Sequence, residues 1–355
     1  MREARVYLSS QALSHNLQRV REFAPHSHVL AMVKADAYGH GLAFSLNALQ
    51  DADALGVAFF KEALDIRALG NTQAIVLIEG AFSLSEWVES DHIHAQCVIH
   101  QDCQLQWALD HIIPNTTIWL KVNTGMNRLG FSPDAALAAA LKLREAGYDL
   151  ILTMHFANAD EPKHPLNQQQ MDTFLKIKKQ LEPIKASLCN SAALIQWKNV
   201  QFDWVRPGIM LYGSSPFEDR SAAQLNLRPV MTLTTQLITK HELPAHVVVG
   251  YGSSFTTLRP TQLGVIAIGY GDGYPRVIKG GQLNIHGQSV PIVGRISMDM
   301  LTVDLTDLET TPSLDTEVVL WGNGLDADLV ARTAGTISYE LFTRLSMRPI
   351  RHIVD

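Results

Sequence analysis

Eight short apolar runs alternate with helical patterns through the first part of the chain, and that rhythm restricts the fold more than any other feature. The runs fall at residues 29–33, 54–59, 74–78, 93–99, 118–122, 150–156, 186–188 and 204–205. Helical spacing appears at 61–69, 103–111, 134–145 and 168–181, and earlier in a segment headed by Ser9 and Ser10 as candidate N-caps. Several runs are apolar throughout, as strands buried on both faces of a parallel sheet are. Eight strand–helix units in about 215 residues predict an α/β fold of the (β/α)8 TIM-like barrel type. A doubly wound sheet is the alternative, because pattern alone does not show closure.

Past Gln224 the texture changes. Residues 231–238 alternate, and short runs at 263–268, 283–285, 290–293, 300–305 and 318–320 follow between glycines and prolines. The one clear helical stretch there is 326–336. The expected organisation is a barrel over 1–225 and a β-rich C-terminal domain over 226–355, with the first few residues packing against the latter. At 46% hydrophobic and 18% charged residues the chain can fill two cores. A net charge of -6 without a basic stripe predicts no nucleic-acid or membrane partner. The longest apolar stretch is followed closely by Lys142 and Arg144, so no membrane span is expected. Cys97, Cys103 and Cys189 do not make a disulfide framework and point to a reducing cytoplasm. The segment Met1-Arg2-Glu3-Ala4-Arg5 is charged and lacks an apolar signal core.

In a barrel, residues just past the strand C-termini face the active site. That rule selects Lys34, Lys121, Asn123, His155, Asn190, Ser191 and Arg206. A lysine ending an apolar strand is stripped of water, which favours the nucleophilic amine that imine formation with an aldehyde cofactor needs. A lysine snorkelling to the rim is the plain alternative. The loops after the seventh and eighth strands often bind phosphate, and here they offer the Ser191 hydroxyl and the glycine turn at Gly208 and Ile209. In the β-rich domain Tyr251 and Tyr270 each sit between glycines, on turns that free the phenol to project. Gly269-Tyr-Gly-Asp-Gly273 lacks the spacing and following helix of a dinucleotide fingerprint. His92 and His94 would share a strand face, but with His100 and Cys97 they lack a matching second cluster, and His155, Asp160 and His164 are spaced too loosely for a fixed zinc site, so no metal is predicted.

Together these segments resemble the alanine racemase family from one end of the chain to the other. Val33-Lys-Ala-Asp-Ala-Tyr-Gly-His-Gly41 is similar to its cofactor-attachment motif, and Lys121-Val-Asn-Thr-Gly-Met-Asn-Arg-Leu-Gly130 to a second signature. The resemblance implies that Lys34 carries pyridoxal 5'-phosphate as a Schiff base. It implies Tyr38, Ser191, Gly208, Ile209 and Tyr339 around the phosphate, Arg206 at the pyridine nitrogen and Arg128 near the phenolic oxygen. His155 and Asn190 match further cofactor-site positions. Lys121 matches a lysine often carbamylated in the family, where the added negative charge orients the arginine corresponding to Arg128. Tyr251 matches the catalytic tyrosine. Arg128 and Met298 match the substrate site, and Tyr270, Arg276 and Asp299 its entrance. Asn123, Gly271 and Ser297 depart from residues common in the family.

The activity implied is interconversion of L- and D-alanine by two-base proton transfer, Lys34 and Tyr251 working from opposite faces, with D-alanine supplied to peptidoglycan. The expected assembly is a cytoplasmic homodimer with composite sites. A serine or broad-specificity racemase, or a pyridoxal-phosphate decarboxylase of the same architecture, is the alternative. A single-barrel cofactor carrier has no counterpart to residues 226–355.

Overall fold

Strand β1, Arg5–Leu8, precedes the barrel without belonging to it. The computed structural model describes residues 3–355; Met1 and Arg2, part of the charged N-terminal segment, lie outside them. The barrel strands are β2 (His28–Met32), β3 (Ala54–Val57), β4 (Ala74–Leu77), β5 (Ala95–Ile99), β6 (Thr117–Lys121), β7 (Asp149–Thr153), β8 (Lys185–Ser187) and β9 (Trp204–Val205). Each pairs in parallel with the next, and β9 returns to β2 through His28↔Trp204 and Val29↔Val205, closing the ring. All four residues of β3 are buried, because both faces of such a strand meet protein.

Helices return the chain between strands, and their starts are written in the sequence. Ser9, Ser83, Ser132 and Asn190 accept hydrogen bonds from the first-turn amides of Ala12, Glu86, Ala135 and Ala193. These caps fix where each loop at the barrel rim ends.

The second unit comprises β10 (Met231–Leu243), β11 (Val248–Val249), β12 (Phe255–Thr256), β13 (Thr261–Ile266), β14 (Gln282–Ile285), β15 (Gln288–Val293), β16 (Leu301–Asp304), β17 (Glu317–Trp321) and β18 (Ile350–Ile353). Its main sheet has the order β13-β16-β15-β14-β17-β10-β1-β18, and β13 also pairs with β10, so the sheet turns back on itself. Strand β1 lies between β10 and β18, and Val6 within it is fully buried.

Two findings differ from the sequence reading. Besides the helix Ala327–Thr333, a second helix, Ser338–Arg344, forms in the β-rich unit. Its buried Leu341, Phe342 and following Leu345 give it an apolar face too short to stand out as a period. His92 ends the helix Leu84–His92 and His94 sits in the turn after it, so the two do not share a strand face. No group of three or more His, Cys, Asp or Glu residues able to hold a metal occurs among the described residues.

The two units are pinned together by a buried carboxylate. Asp328 accepts from the Ser215 amide at 2.8 Å and from the Ser214 hydroxyl, which lies 2.5 Å from the Ser338 hydroxyl. Ser214 and Ser215 follow the last barrel strand, whereas Asp328 and Ser338 lie on the two C-terminal helices. Asp328→Ala strands these donors and is expected to lower unfolding free energy by about 3 kcal/mol. Asp328→Asn, which retains an acceptor for the Ser215 amide, is expected to lose less. Urea unfolding at fixed pH reads both, and equal losses would show that acceptor geometry is not what the site contributes.

Candidate functional site

The barrel mouth opens on a cavity of about 740 Å³, lined among others by Lys34, Tyr38, Lys121, Arg128, His155, Asn190, Ser191, Arg206, Gly208, Ile209 and Tyr339. The residues selected from strand ends thus converge, together with one tyrosine from the C-terminal helix Ser338–Arg344. A volume of this size suits a small cofactor with a substrate beside it.

Lys34 follows β2 after Val33 and begins an unusual turn. The next four residues, Ala35, Asp36, Ala37 and Tyr38, all have φ between 52° and 54°, so the chain makes a left-handed helical turn built without glycine. Each such residue costs roughly 1–2 kcal/mol. The neighbours that hold it are specific. The Glu62 carboxylate accepts the Ala35 amide at 2.7 Å, and Asp36 accepts the Leu42 amide at 2.7 Å. Ala37 and Gly39 donate to the carbonyls of Val33 and Ala35 at 2.8 and 2.9 Å. Gly39, at φ 77°, rests flush on the Phe342 carbonyl of the C-terminal helix, where any Cβ would collide. No residue pattern announces this turn, because alanine and tyrosine ordinarily avoid it.

The turn brings Tyr38 back to the cavity, with its hydroxyl at Gly208. Its hydroxyl lies where a side chain at Gly208 would sit, so glycine is required there for space. The Gly208 amide donates to the Ser191 hydroxyl at 2.9 Å, leaving that hydroxyl's proton to point elsewhere. Burial pushes the Tyr38 and Tyr339 phenols upward, so both remain donors. Tyr38, Tyr339, Ser191 and the turn at Gly208 and Ile209 therefore form a small cradle of donors with a glycine at its floor.

The same cavity is rich in cations. Lys34, Lys121, Arg128 and Arg206 line it against two carboxylates, Glu79 and Glu340, of which Glu340 is held by Arg344 at 2.8 Å. Arg206 donates to the Ser187 hydroxyl at 2.6 Å and to the carbonyls of Met154 and Leu188 at 2.7 and 3.2 Å. No carboxylate among the described residues pairs with it. Burial lowers its guanidinium to about 10. His155 lies with Nδ1 3.4 Å from Arg206; burial and then the charges of Arg206, Lys121 and Arg128 hold it well below the usual imidazole range. A neutral His155 with Nδ1 facing a donor keeps its proton on Nε2. Lys121 is lowered to about 8, by burial first and then by Arg206 and Arg128.

Asn123 shapes the loop that carries Arg128. Its Oδ1 accepts from the amides of Gly125 and Asn127 at 3.1 and 3.0 Å, and its Nδ2 donates to the Asn127 side chain at 3.0 Å. Sequence reasoning missed Gln170, a fully buried residue of the helix Pro165–Gln180. Its amide donates to Thr124 at 3.1 Å and to the His155 carbonyl at 3.0 Å, joining the Arg128 loop to the end of β7. A single polar residue on a helix face gives no signal of such a role.

The remaining site residues lie elsewhere. Tyr251, flanked by Gly250 and Gly252 at positive φ, is 71% exposed. Tyr270, Arg276 and Met298 are also exposed, and Arg348 bridges Asp299 at 2.8 Å and Asp272 at 3.3 Å. None of Tyr251, Tyr270, Arg276, Met298 and Asp299 lines the barrel cavity of its own chain.

Family models described as alanine racemase, N-terminal domain, and alanine racemase, C-terminal domain, match residues 8–216 and 230–353. An alanine racemase of Psychrobacter sp. (strain PRwf-1) is 49% identical over 375 residues, covering all of both chains. The solved alanine racemase from Acinetobacter baumannii matches all of both chains at 47% identity, with a TM-score of 0.98. That from Bartonella henselae, solved with covalently bound pyridoxal phosphate, matches 99% of each at 28% identity and a TM-score of 0.90.

The neutral histidines of this region set an acid limit. His40 is fully buried and lowered to about 4, chiefly by burial, and His155 is also depressed. The unfolded chain binds protons at these positions from about pH 6.5 downward while the fold does not, so their contribution to stability falls as pH drops from about 6.5 toward 4 and is constant above that window. His40 alone accounts for roughly 3 kcal/mol across that window. Urea unfolding at stepped pH is expected to show the slope, reduced in His40→Asn. An unchanged slope in that variant would mean that His40 protonates without penalty.

Proposed function

This chain belongs to the alanine racemase family, and from that premise we propose that it interconverts L- and D-alanine with Lys34 and Tyr251 as bases on opposite faces of the substrate. The observation that carries the reading is the convergence of Lys34 with a donor cradle and an excess of cations at one barrel mouth. The donor set fits pyridoxal 5'-phosphate: Lys34 would anchor its aldehyde carbon, and Tyr38, Ser191, Gly208, Ile209 and Tyr339 would hold its phosphate. Arg206 would face the ring nitrogen and Arg128 the phenolic oxygen, with His155 and Asn190 completing the wall. When bound, that cofactor supplies an electron sink for the charge left at the substrate Cα.

The protein's own groups then decide the outcome. Racemisation removes the Cα proton from one face and returns one to the other, which one base cannot easily do. The Lys34 amine serves one face and the Tyr251 phenol the other. Arg206, still a cation at neutral pH, donates hydrogen bonds without surrendering a proton, so a ring nitrogen against it would stay unprotonated, which would moderate the sink and disfavour side reactions. His155, with its proton on Nε2, would donate toward the Tyr251 phenol oxygen supplied by a second copy. Arg128 and Met298 bind the substrate, and Tyr270, Arg276 and Asp299 guard its entrance. Lys121, lowered to about 8, has a substantial neutral amine fraction and is open to carbamylation by carbon dioxide, a proton being released as the N–C bond forms.

The chain divides in function after residue 225. Its barrel holds the cofactor end of the site, and the β-rich unit presents Tyr251 to solvent. A second copy, arranged so that Tyr251 and Met298 enter its barrel, completes each site. The three cysteines are all free, in keeping with a cytoplasmic enzyme supplying D-alanine for peptidoglycan. No helix among the described residues is long and apolar enough to cross a membrane.

Incubation with L-alanine, with L-serine beside it, followed by chiral separation tests the activity; conversion of neither by cofactor-loaded protein overturns it. Tyr251→Phe is expected to abolish abstraction from L-alanine while Lys34-dependent exchange on D-alanine is partly retained. α-Deuterium exchange reads this, and equal losses from both enantiomers would remove the assigned roles. Mixing Lys34→Ala with Tyr251→Phe protein is expected to restore about a quarter of parental activity, because half the dimers are mixed and each carries one complete site. No restoration after confirmed subunit exchange would mean that the sites are not shared.

A further inference from the structure

His40 lies beyond the reacting groups, in the motif that follows Lys34, and three observations surround it. Its Nδ1 lies 3.0 Å from the Tyr38 carbonyl, an acceptor, so Nδ1 carries the proton. Its Nε2 is buried and has no partner. Its ring packs on Tyr212 at 4.6 Å and edge-on to Phe342 at 5.0 Å, while Tyr212 stacks with Tyr38 on its own account, ring centroids 4.8 Å apart. A charged imidazole is disfavoured in this enclosure, and burial keeps the ring neutral.

Tyr38 is the last non-glycine residue of the left-handed turn, and its carbonyl is where that strained segment hands over to Gly39, at φ 77°. The carbonyl bond, made within two residues, holds the end of the turn. The rings on either side enclose the imidazole beside that carbonyl. Because the Tyr38 hydroxyl stands against Gly208, a shift of the turn moves that hydroxyl out of the donor cradle. We propose that His40 is a positioning residue for the phosphate group of the cofactor, acting through Tyr38 by the hydrogen bond from Nδ1 to the Tyr38 carbonyl. The inference rests on the pyridoxal-phosphate reading of the cavity and adds to it a residue that touches neither cofactor nor substrate.

Two variants separate the hydrogen bond from the ring packing. His40→Phe keeps an aromatic ring of similar size and loses the donor. His40→Asn keeps a donor at the Nδ1 position and loses the ring. The full-length proteins, stripped with hydroxylamine and reloaded, are titrated with pyridoxal 5'-phosphate and in parallel with pyridoxal, which lacks the phosphate. Binding is followed by absorbance, with thermal unfolding of the stripped protein recorded beside it. His40→Phe is expected to bind pyridoxal 5'-phosphate about tenfold more weakly while its affinity for pyridoxal is unchanged, and His40→Asn is expected to recover most of the loss. Parental affinity in His40→Phe overturns the proposal. So do equal losses for both ligands, or a Phe variant that binds better than the Asn variant, since either would make His40 a packing residue only. Failure of the parent itself to bind pyridoxal 5'-phosphate would instead overturn the cofactor reading.

Discussion

The site depends on a segment of backbone that the chain would not adopt alone. Four consecutive non-glycine residues after Lys34 run left-handed. At roughly 1–2 kcal/mol each, their cost is comparable to the whole stability of many domains. Such a segment persists only where its surroundings over-determine it. Glu62 holds its first amide, Asp36 ties it to the following helix, and the Phe342 carbonyl closes on Gly39. What the strain gives is convergence: Lys34 and Tyr38, four residues apart, line the same cavity.

This explains why the β-rich unit is not an appendage. Its helix Ser338–Arg344 contributes Tyr339 to the donor cradle and backs the strained turn through Phe342. Asp328, Ser214 and Ser338 fix where that helix starts relative to the last barrel strand. The same unit presents Tyr251 outward, away from its own cavity. One face therefore completes the cofactor side of the chain's own site, and another supplies chemistry to a second copy.

Much of this was legible in the sequence where a local rule governs. All eight barrel strands appear as apolar runs because parallel strands are buried on both faces, and Lys34, Lys121, His155, Ser191 and Arg206 follow from the rule that strand ends face the site. Serine and asparagine caps mark helix starts directly. Three kinds of feature were not legible. The left-handed turn contradicts the preferences of its own residues, since tertiary contacts impose it. The helix Ser338–Arg344 is too short for its period to register. Gln170 and Asp328 work through partners tens to more than a hundred residues away, at distances no window spans. Tyr339 and Tyr251 were reached through family resemblance, because nothing in their neighbourhoods says which cavity they address.

Strand β1 has a consequence for how the molecule comes into being. Residues 5–8 leave the ribosome long before β18, at residues 350–353, with which they pair. The barrel has all its strands once residue 205 has emerged, whereas β1 waits for β10 at residues 231–234 on one edge and for β18 at residues 350–353 on the other. Joining segments so remote carries a large loop-closure cost until the barrel brings the ends near each other. Assembly is thus ordered by topology, the barrel serving as the template on which the two ends of the chain meet. During translation the exposed edge of β1 is the element most in need of protection from pairing with a neighbour.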